Sequence, residues 1–228
     1  VITGIAWIGA SFYFVWLDNS LEEPPRWKID SGVKGELWAV HGGGIYEVGK
    51  YHLGPAKLPE TLHWFKWEAY STWLSGMVLM VLIFYVGADT YLIDPRISEL
   101  SRIEAIVFGV SFIVGGWLLY ELLCSTAVVT NGPAVALCLT FGAAVASWAL
   151  TSLFSGRGAF IHLGAMIGTI MAGNVFRVII PSQRALVAAI KAGEELDPAW
   201  GAKAKLRSTH NNYFTLPILF IMISNHYP

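Results

Sequence analysis

Charge is scarce in this chain. Its 228 residues hold 15 lysines and arginines and 16 aspartates and glutamates, 14% of side chains, where a soluble domain carries about 25%. The net charge of −1 offers no basic surface for nucleic acid. Cysteine is scarcer still. Cys124 and Cys138 are the two present, too few for a disulfide framework, and without a CxxC or CxxCH string they argue against thiolate zinc and covalent haem c. HExxH, a Walker loop, GxSxG and GxGxxG are also missing, which argues against a zinc protease, an ATPase, a serine hydrolase and a Rossmann domain. What fills the chain instead is apolar: 55% hydrophobic and 14% aromatic residues, with a mean hydropathy of +0.54. A soluble fold of this size has too little interior to hide such surface, and disorder is excluded by the same figures. The sequence reads as an integral membrane protein.

A hydrocarbon core of about 30 Å takes roughly 20 residues of helix. Charge-free stretches give about six spans, near residues 1–17, 69–88, 105–121, 133–156, 158–177 and 211–228. The expected fold is therefore all-α, a polytopic transmembrane helix bundle forming a single integral-membrane domain. Both ends fall inside apolar stretches, so the chain reads as a fragment of a longer polypeptide; a signal peptide is a poor reading, for want of a basic start and a cleavage site. Twelve of the fifteen lysines and arginines lie in segments 18–68 and 177–210. The positive-inside rule then makes both loops cytoplasmic and both chain ends external, in a bacterial inner membrane. Segment 18–68, rich in tryptophan and glycine, reads as a long structured loop against the membrane surface, and Ala185 to Lys191 as a short surface helix. Gly164-x-x-x-Gly168 and Ala6-x-x-x-Ala10 supply small residues for close helix packing.

Ionisable groups at membrane depth point to function by default. With the orientation fixed, His63, Glu68, Glu121, Arg177 and His210 fall at the inner ends of their spans, together with Asn174, Asn211 and Asn212. His162 and His226 fall near the outer face, His226 roughly 24 Å beyond His210 at 1.5 Å per residue. Two histidine layers suit two redox centres, or one centre and one substrate site, and imidazoles on facing helices are how bundles hold b-type haem. Cofactor candidates are thus His162, His226, His210 and His41, with haem iron assigned to His162 and His226. Plainer readings stand beside these. Histidines at helix ends also meet headgroups, His41 also serves as a loop cap and His52 as an ordinary loop residue. Glu121 also pairs with Arg177, and the tryptophans also form interface belts.

Four strings then matter together: Trp7 to Leu21 (WIGASFYFVWLDNSL), Gly35 to Gly44 (GELWAVHGGG), Leu62 to Tyr70 (LHWFKWEAY), and His210 to Pro217 (HNNYFTLP) with Ser224 to Pro228 (SNHYP). They closely resemble the N-terminal membrane domain of the bacterial membrane-bound urate oxidases, or urate hydroxylases, over essentially the whole chain. The resemblance implies oxidation of urate to 5-hydroxyisourate in purine degradation. It also implies further spans and a C-terminal cytochrome c domain beyond this chain, with electrons passed to the respiratory chain rather than to hydrogen peroxide. It assigns no catalytic residue, so the roles that follow are physical inference.

Urate is a flat monoanion. Arg177 presents a planar fork suited to adjacent acceptors, and Asn174, Asn211 and Asn212 add amide contacts. Oxidation releases protons, which Glu68, Glu121 or His63 accepts, with His210 an alternative base if it does not ligate haem. The competing reading is a non-catalytic haem b electron carrier that anchors a cytochrome. A transporter is disfavoured, because no inverted repeat or broken helix is visible.

Overall fold

The computed structural model describes residues 1–224. Helix α1 (Ile2–Asn19) leads to a single turn, α2 (Arg26–Ile29), and a two-stranded antiparallel sheet, β1 (Val33–His41) and β2 (Gly44–Tyr51). After an irregular stretch come α3 (Trp67–Met80), which runs into a π turn over Val81–Tyr85, then the short α4 (Ala88–Tyr91), α5 (Arg102–Ser125) and α6 (Gly132–Thr151). Helix α7 (Gly156–Asn174) passes through a second π turn, Val175–Ile179, into α8 (Ile180–Ala192), and α9 (Pro198–Ser224) follows.

The chain is mostly helical but not all-α: segment 18–68 holds a hairpin. His41 pairs with Gly44 across Gly42 and Gly43, whose φ angles of 59° and 82° suit a type I′ turn that only glycine enters at little cost. Lys28 clamps this hairpin by ion pairs to Glu36 and Glu47, and Lys50 pairs with Asp18 at the end of α1.

Six spans are not what forms. Among the described residues four helices are long and apolar enough to cross a membrane: Trp67–Tyr85, Arg102–Ser125, Gly132–Thr151 and the 37-residue run Gly156–Ala192. Helix α1 has the length, but its last turn carries Asp18 and Asn19 and dilutes the apolar stretch. Residues 211–224 continue α9, whose first half bears Lys203, Lys205 and Arg207. Segment 177–210 is likewise no loop. Helix continues through Arg177 to Ala192, stops at Gly193 in the left-handed conformation (φ 69°), and resumes at Pro198. Pro181 lacks the N–H that would reach the Arg177 carbonyl, and the π turn just before it absorbs the mismatch, with Ile180 N–H reaching back to Val175 O.

The chain divides into two compact units. The first comprises Val1–Ala69 and Asn174–Asn212; it contains α1, the hairpin, the π turn, α8 and the first half of α9. The second comprises Tyr70–Gly173 and the chain from Tyr213 onward. Its core gathers Phe84, Tyr85, Leu92, Ile113, Leu150 and Phe154. There α5 and α7 approach along glycines: a Cβ at Gly109, Gly116 or Gly173 would run into His162, Met166 or Trp117. Small residues allow such close approach between apolar helices. Leu119, Leu137, Phe141 and Trp148 stay exposed, as side chains bathed in lipid would be.

Candidate functional site

A cavity of about 490 Å³ lies in the first unit, inside the range of small-molecule sites. Each wall is one face of an element. Trp7, Ser11, Phe14 and Asp18 recur every three or four residues along α1, Ile179, Gln183 and Leu186 do so from the π turn into α8, and Ser208, Asn211 and Asn212 share a face of α9. The irregular stretch before α3 adds Leu62, His63, Trp64 and Phe65, and the first turn of α3 adds Glu68. Aromatic rings and amides thus border the same space, which suits a flat molecule rich in hydrogen-bonding groups.

His63 and Glu68 meet at the mouth, with Nε2 3.7 Å from Oε1. His63 is 71% exposed and Glu68 22%, so the imidazole touches solvent while the carboxylate sits deeper. The His63 ring stands edge-on to Phe65 at 4.5 Å, and Phe65 in turn packs on Phe14 at 5.1 Å. Glu68 lies at a helix N-terminus, where the backbone N–H groups favour a carboxylate.

Behind the cavity wall runs a buried polar chain. Asn174 is fully buried. Its Oδ1 accepts from Arg207 Nη1 at 3.0 Å, and its Nδ2 donates to Asn211 Oδ1 at 2.9 Å. The direction is forced. A guanidinium only donates, so Asn174 must turn its oxygen to Arg207 and its nitrogen to Asn211, leaving the Asn211 Nδ2 as that side chain's donor end. A buried cation therefore orients an amide in the cavity wall.

His210, buried beside this chain, is held below its ordinary value near 6.5, first by burial and then by the charge of Arg207. The unfolded chain binds a proton near 6.5 and the folded one resists it, so the stability His210 contributes is full above that pH and is lost as the pH falls toward the folded value. The thermal midpoint should drop on acidification below about pH 6.5, and His210→Gln should flatten that slope. An unchanged slope in the variant would move the effect to another group.

The expected site residues are thus sorted by position. Glu68, His63, Asn211 and Asn212 line the cavity, and Asn174 stands directly behind Asn211. Arg177 is exposed on the π turn and does not line it. Glu121 belongs to the second unit, half-buried on α5. His41 is exposed at the hairpin turn, and His226 lies outside the described residues. The sequence reading counted Arg207 only as one more loop charge and passed over Gln183, Ser11 and Asp18. The spacing of Arg207 and Asn211, one helical turn apart, was the available signal, hidden because 177–210 read as loop.

His162 is fully buried on α7 with Nε2 unpartnered, the right kind of donor, but Nε2 abuts Gly109 where α5 and α7 close on each other, leaving no slot for a porphyrin. No second described imidazole lies in that unit, and no group of three or more His, Cys, Asp or Glu that could hold a metal occurs among the described residues. Around His162 the described residues leave no room for the cofactor. In comparisons with known proteins, the family described as urate oxidase N-terminal matches residues 1–228. No curated protein and no solved structure matches the chain.

Proposed function

Because the chain belongs to the urate oxidase N-terminal family, we propose that it is the membrane-bound, urate-oxidising part of such an enzyme, with urate held in the cavity of the first unit. The observation that carries this reading is the meeting, in one cavity, of aromatic walls, an amide oriented by a buried cation, and a carboxylate–imidazole pair. Urate and water yield 5-hydroxyisourate, two protons and two electrons. Asn211 Nδ2, set by Asn174 and Arg207, donates to a purine oxygen on which negative charge accumulates. Trp64, Phe65 and Phe14 border the flat ring. Glu68 accepts a proton as the purine is oxidised, and His63, in reach of Glu68 and of solvent, carries it away. The electrons leave for a cytochrome c of the respiratory chain.

The test is urate consumption by membranes carrying the full-length protein, with added cytochrome c. Urate loss matched by cytochrome reduction, without hydrogen peroxide, supports the reading. Peroxide in place of cytochrome reduction sinks the electron route, and no urate loss sinks the assignment.

The proposed membrane is the bacterial inner membrane, with segments 18–68 and 177–210 on the cytoplasmic side. That both basic segments fall within one compact unit supports placing them on one side. Cysteines introduced at Lys50 and Lys203 are expected to resist a membrane-impermeant maleimide in intact spheroplasts, whereas one at Ser98 reacts. Labelling at either lysine position from outside would reverse the orientation.

A further inference from the structure

The cavity of the first unit has an acidic lining. Asp18 and Glu68 stand in its wall, and no lysine or arginine is among the described residues that line it. A flat monoanion entering this space meets two negative groups, which repel it. Each carboxylate has its own counter-group. Glu68 faces His63, a partner that can take up and give away a proton, and the reaction above uses both. Asp18 forms an ion pair with Lys50, and neither of these has a part in that chemistry.

Asp18 stands where its own helix does not favour it. It lies in the last turn of α1, where the free backbone carbonyls disfavour a carboxylate, and that turn holds no basic residue. The offsetting charge comes from 32 residues further along the chain, on β2. Backbone geometry brings it there. Lys50 pairs with Gly35 in the register of the hairpin. The next residue, Glu36, exchanges backbone hydrogen bonds of 2.8 and 3.0 Å with Glu22, just past the end of α1. A Cβ at Gly35 would lie 2.9 Å from the Leu21 Cβ, so glycine at this position lets the base of the hairpin close on residues 21 and 22. The sheet is thus fastened beside the end of α1, and Lys50 reaches Asp18 from outside the cavity lining. Lys50 is 36% exposed and Asp18 41%, so the pair does little for stability.

We propose that Lys50 is a specificity-determining residue, whose ammonium cancels the Asp18 carboxylate in the cavity wall and so admits an anionic planar substrate. This inference rests on the reading of the cavity as the urate site. A mere tether between hairpin and helix would behave differently, because breaking the pair from either end would then do the same harm. Charge cancellation gives the two ends opposite signs. Loss of the ammonium weakens the hold on an anion, and loss of the carboxylate strengthens it.

The experiment measures KM and kcat for urate on membranes carrying the full-length protein. Lys50→Met is expected to raise KM about three- to tenfold with kcat nearly unchanged, the scale of one charge several ångströms away in a half-solvated site. The increase should shrink as salt is raised. Asp18→Asn should lower KM, since Lys50 then faces the substrate uncancelled, and the double variant should return KM to near the wild-type value. Equal losses from the two single variants, unrepaired in the double, would overturn the proposal and leave the pair a tether. So would a Lys50→Met enzyme with unchanged KM. Glu68→Gln tells the two failures apart. If it still slows oxidation, the role of Lys50 alone falls; if it too has no effect, the cavity is not the urate site and both readings fall.

Discussion

Replacing Glu68 with glutamine is expected to slow urate oxidation by about 10²–10⁴-fold, the usual worth of a positioned general base. The substitution keeps the shape of the side chain in the cavity wall and removes only its capacity to hold a proton. Because the loss is felt in the oxidation step, kcat should fall and KM change little. Glu68 sits at the first turn of α3, where losing the negative charge costs helix stability about 0.3–1 kcal/mol, so the variant should fold. His63→Gln should lower the rate less, since solvent can replace an exposed imidazole more readily than a sheltered carboxylate. Steady-state rates on membranes, normalised to protein amount, measure both. A Glu68→Gln enzyme with the wild-type rate would place proton removal elsewhere.

Arg207→Met is expected to lower kcat/KM for urate about 10–100-fold, the loss of roughly 1.5–3 kcal/mol carried by a hydrogen bond to a charged group. Arg207 does not itself line the cavity. Its effect travels through Asn174: without the guanidinium, the Asn174 oxygen loses that donor, and the constraint that turns its nitrogen toward Asn211 is removed. Asn211 can then turn its oxygen toward an anionic substrate. Asn174→Asp separates orientation from folding, because a carboxylate still accepts from Arg207 but cannot donate to Asn211. That variant should fold and still lose kcat/KM. Arg177→Lys is the matched control. Arg177 is the residue the sequence offered as the anion clamp, yet it is exposed and outside the cavity wall, so its effect should be smaller. An Arg177→Lys variant hurt more than Arg207→Met would move the substrate out of this cavity.

Long apolar stretches were easy to read. The expected 105–121 and 133–156 fall on α5 and α6 within a few residues at the start, because hydropathy and the lack of charge report directly on a lipid-facing helix. The same measure misjudged Val1 to Leu17. The α1 residues are apolar, but several of them, Trp7, Ser11 and Phe14 among them, line a cavity, and hydropathy does not distinguish a wall from a membrane span. Charge density failed in the opposite sense over 177–210. Six basic residues read as loop, although alanine-rich Ala185 to Lys191 already had helical character, and α8 and α9 proved helical through most of that segment. Within that segment Arg207 is the arginine bonded to Asn174, whereas Arg177 is exposed on the π turn. The depth argument placed His63, Glu68, Asn211 and Asn212 together with Glu121 and Arg177; the first four line one cavity, whereas Glu121 belongs to the second unit and Arg177 is exposed.

The π turn at Val175–Ile179 amounts to one residue more than a regular helix needs. An α-helix advances 100° per residue, so that extra residue sets the phase of everything C-terminal to it. With the turn in place, Ile179, Gln183 and Leu186 point into the cavity. Deleting one residue from this stretch would let the helix run on regularly and swing all three away together by about a quarter-turn, while every side chain on the α7 side kept its heading. In this stretch a single insertion or deletion is thus a graver change than most substitutions, because it reassigns a whole face at once.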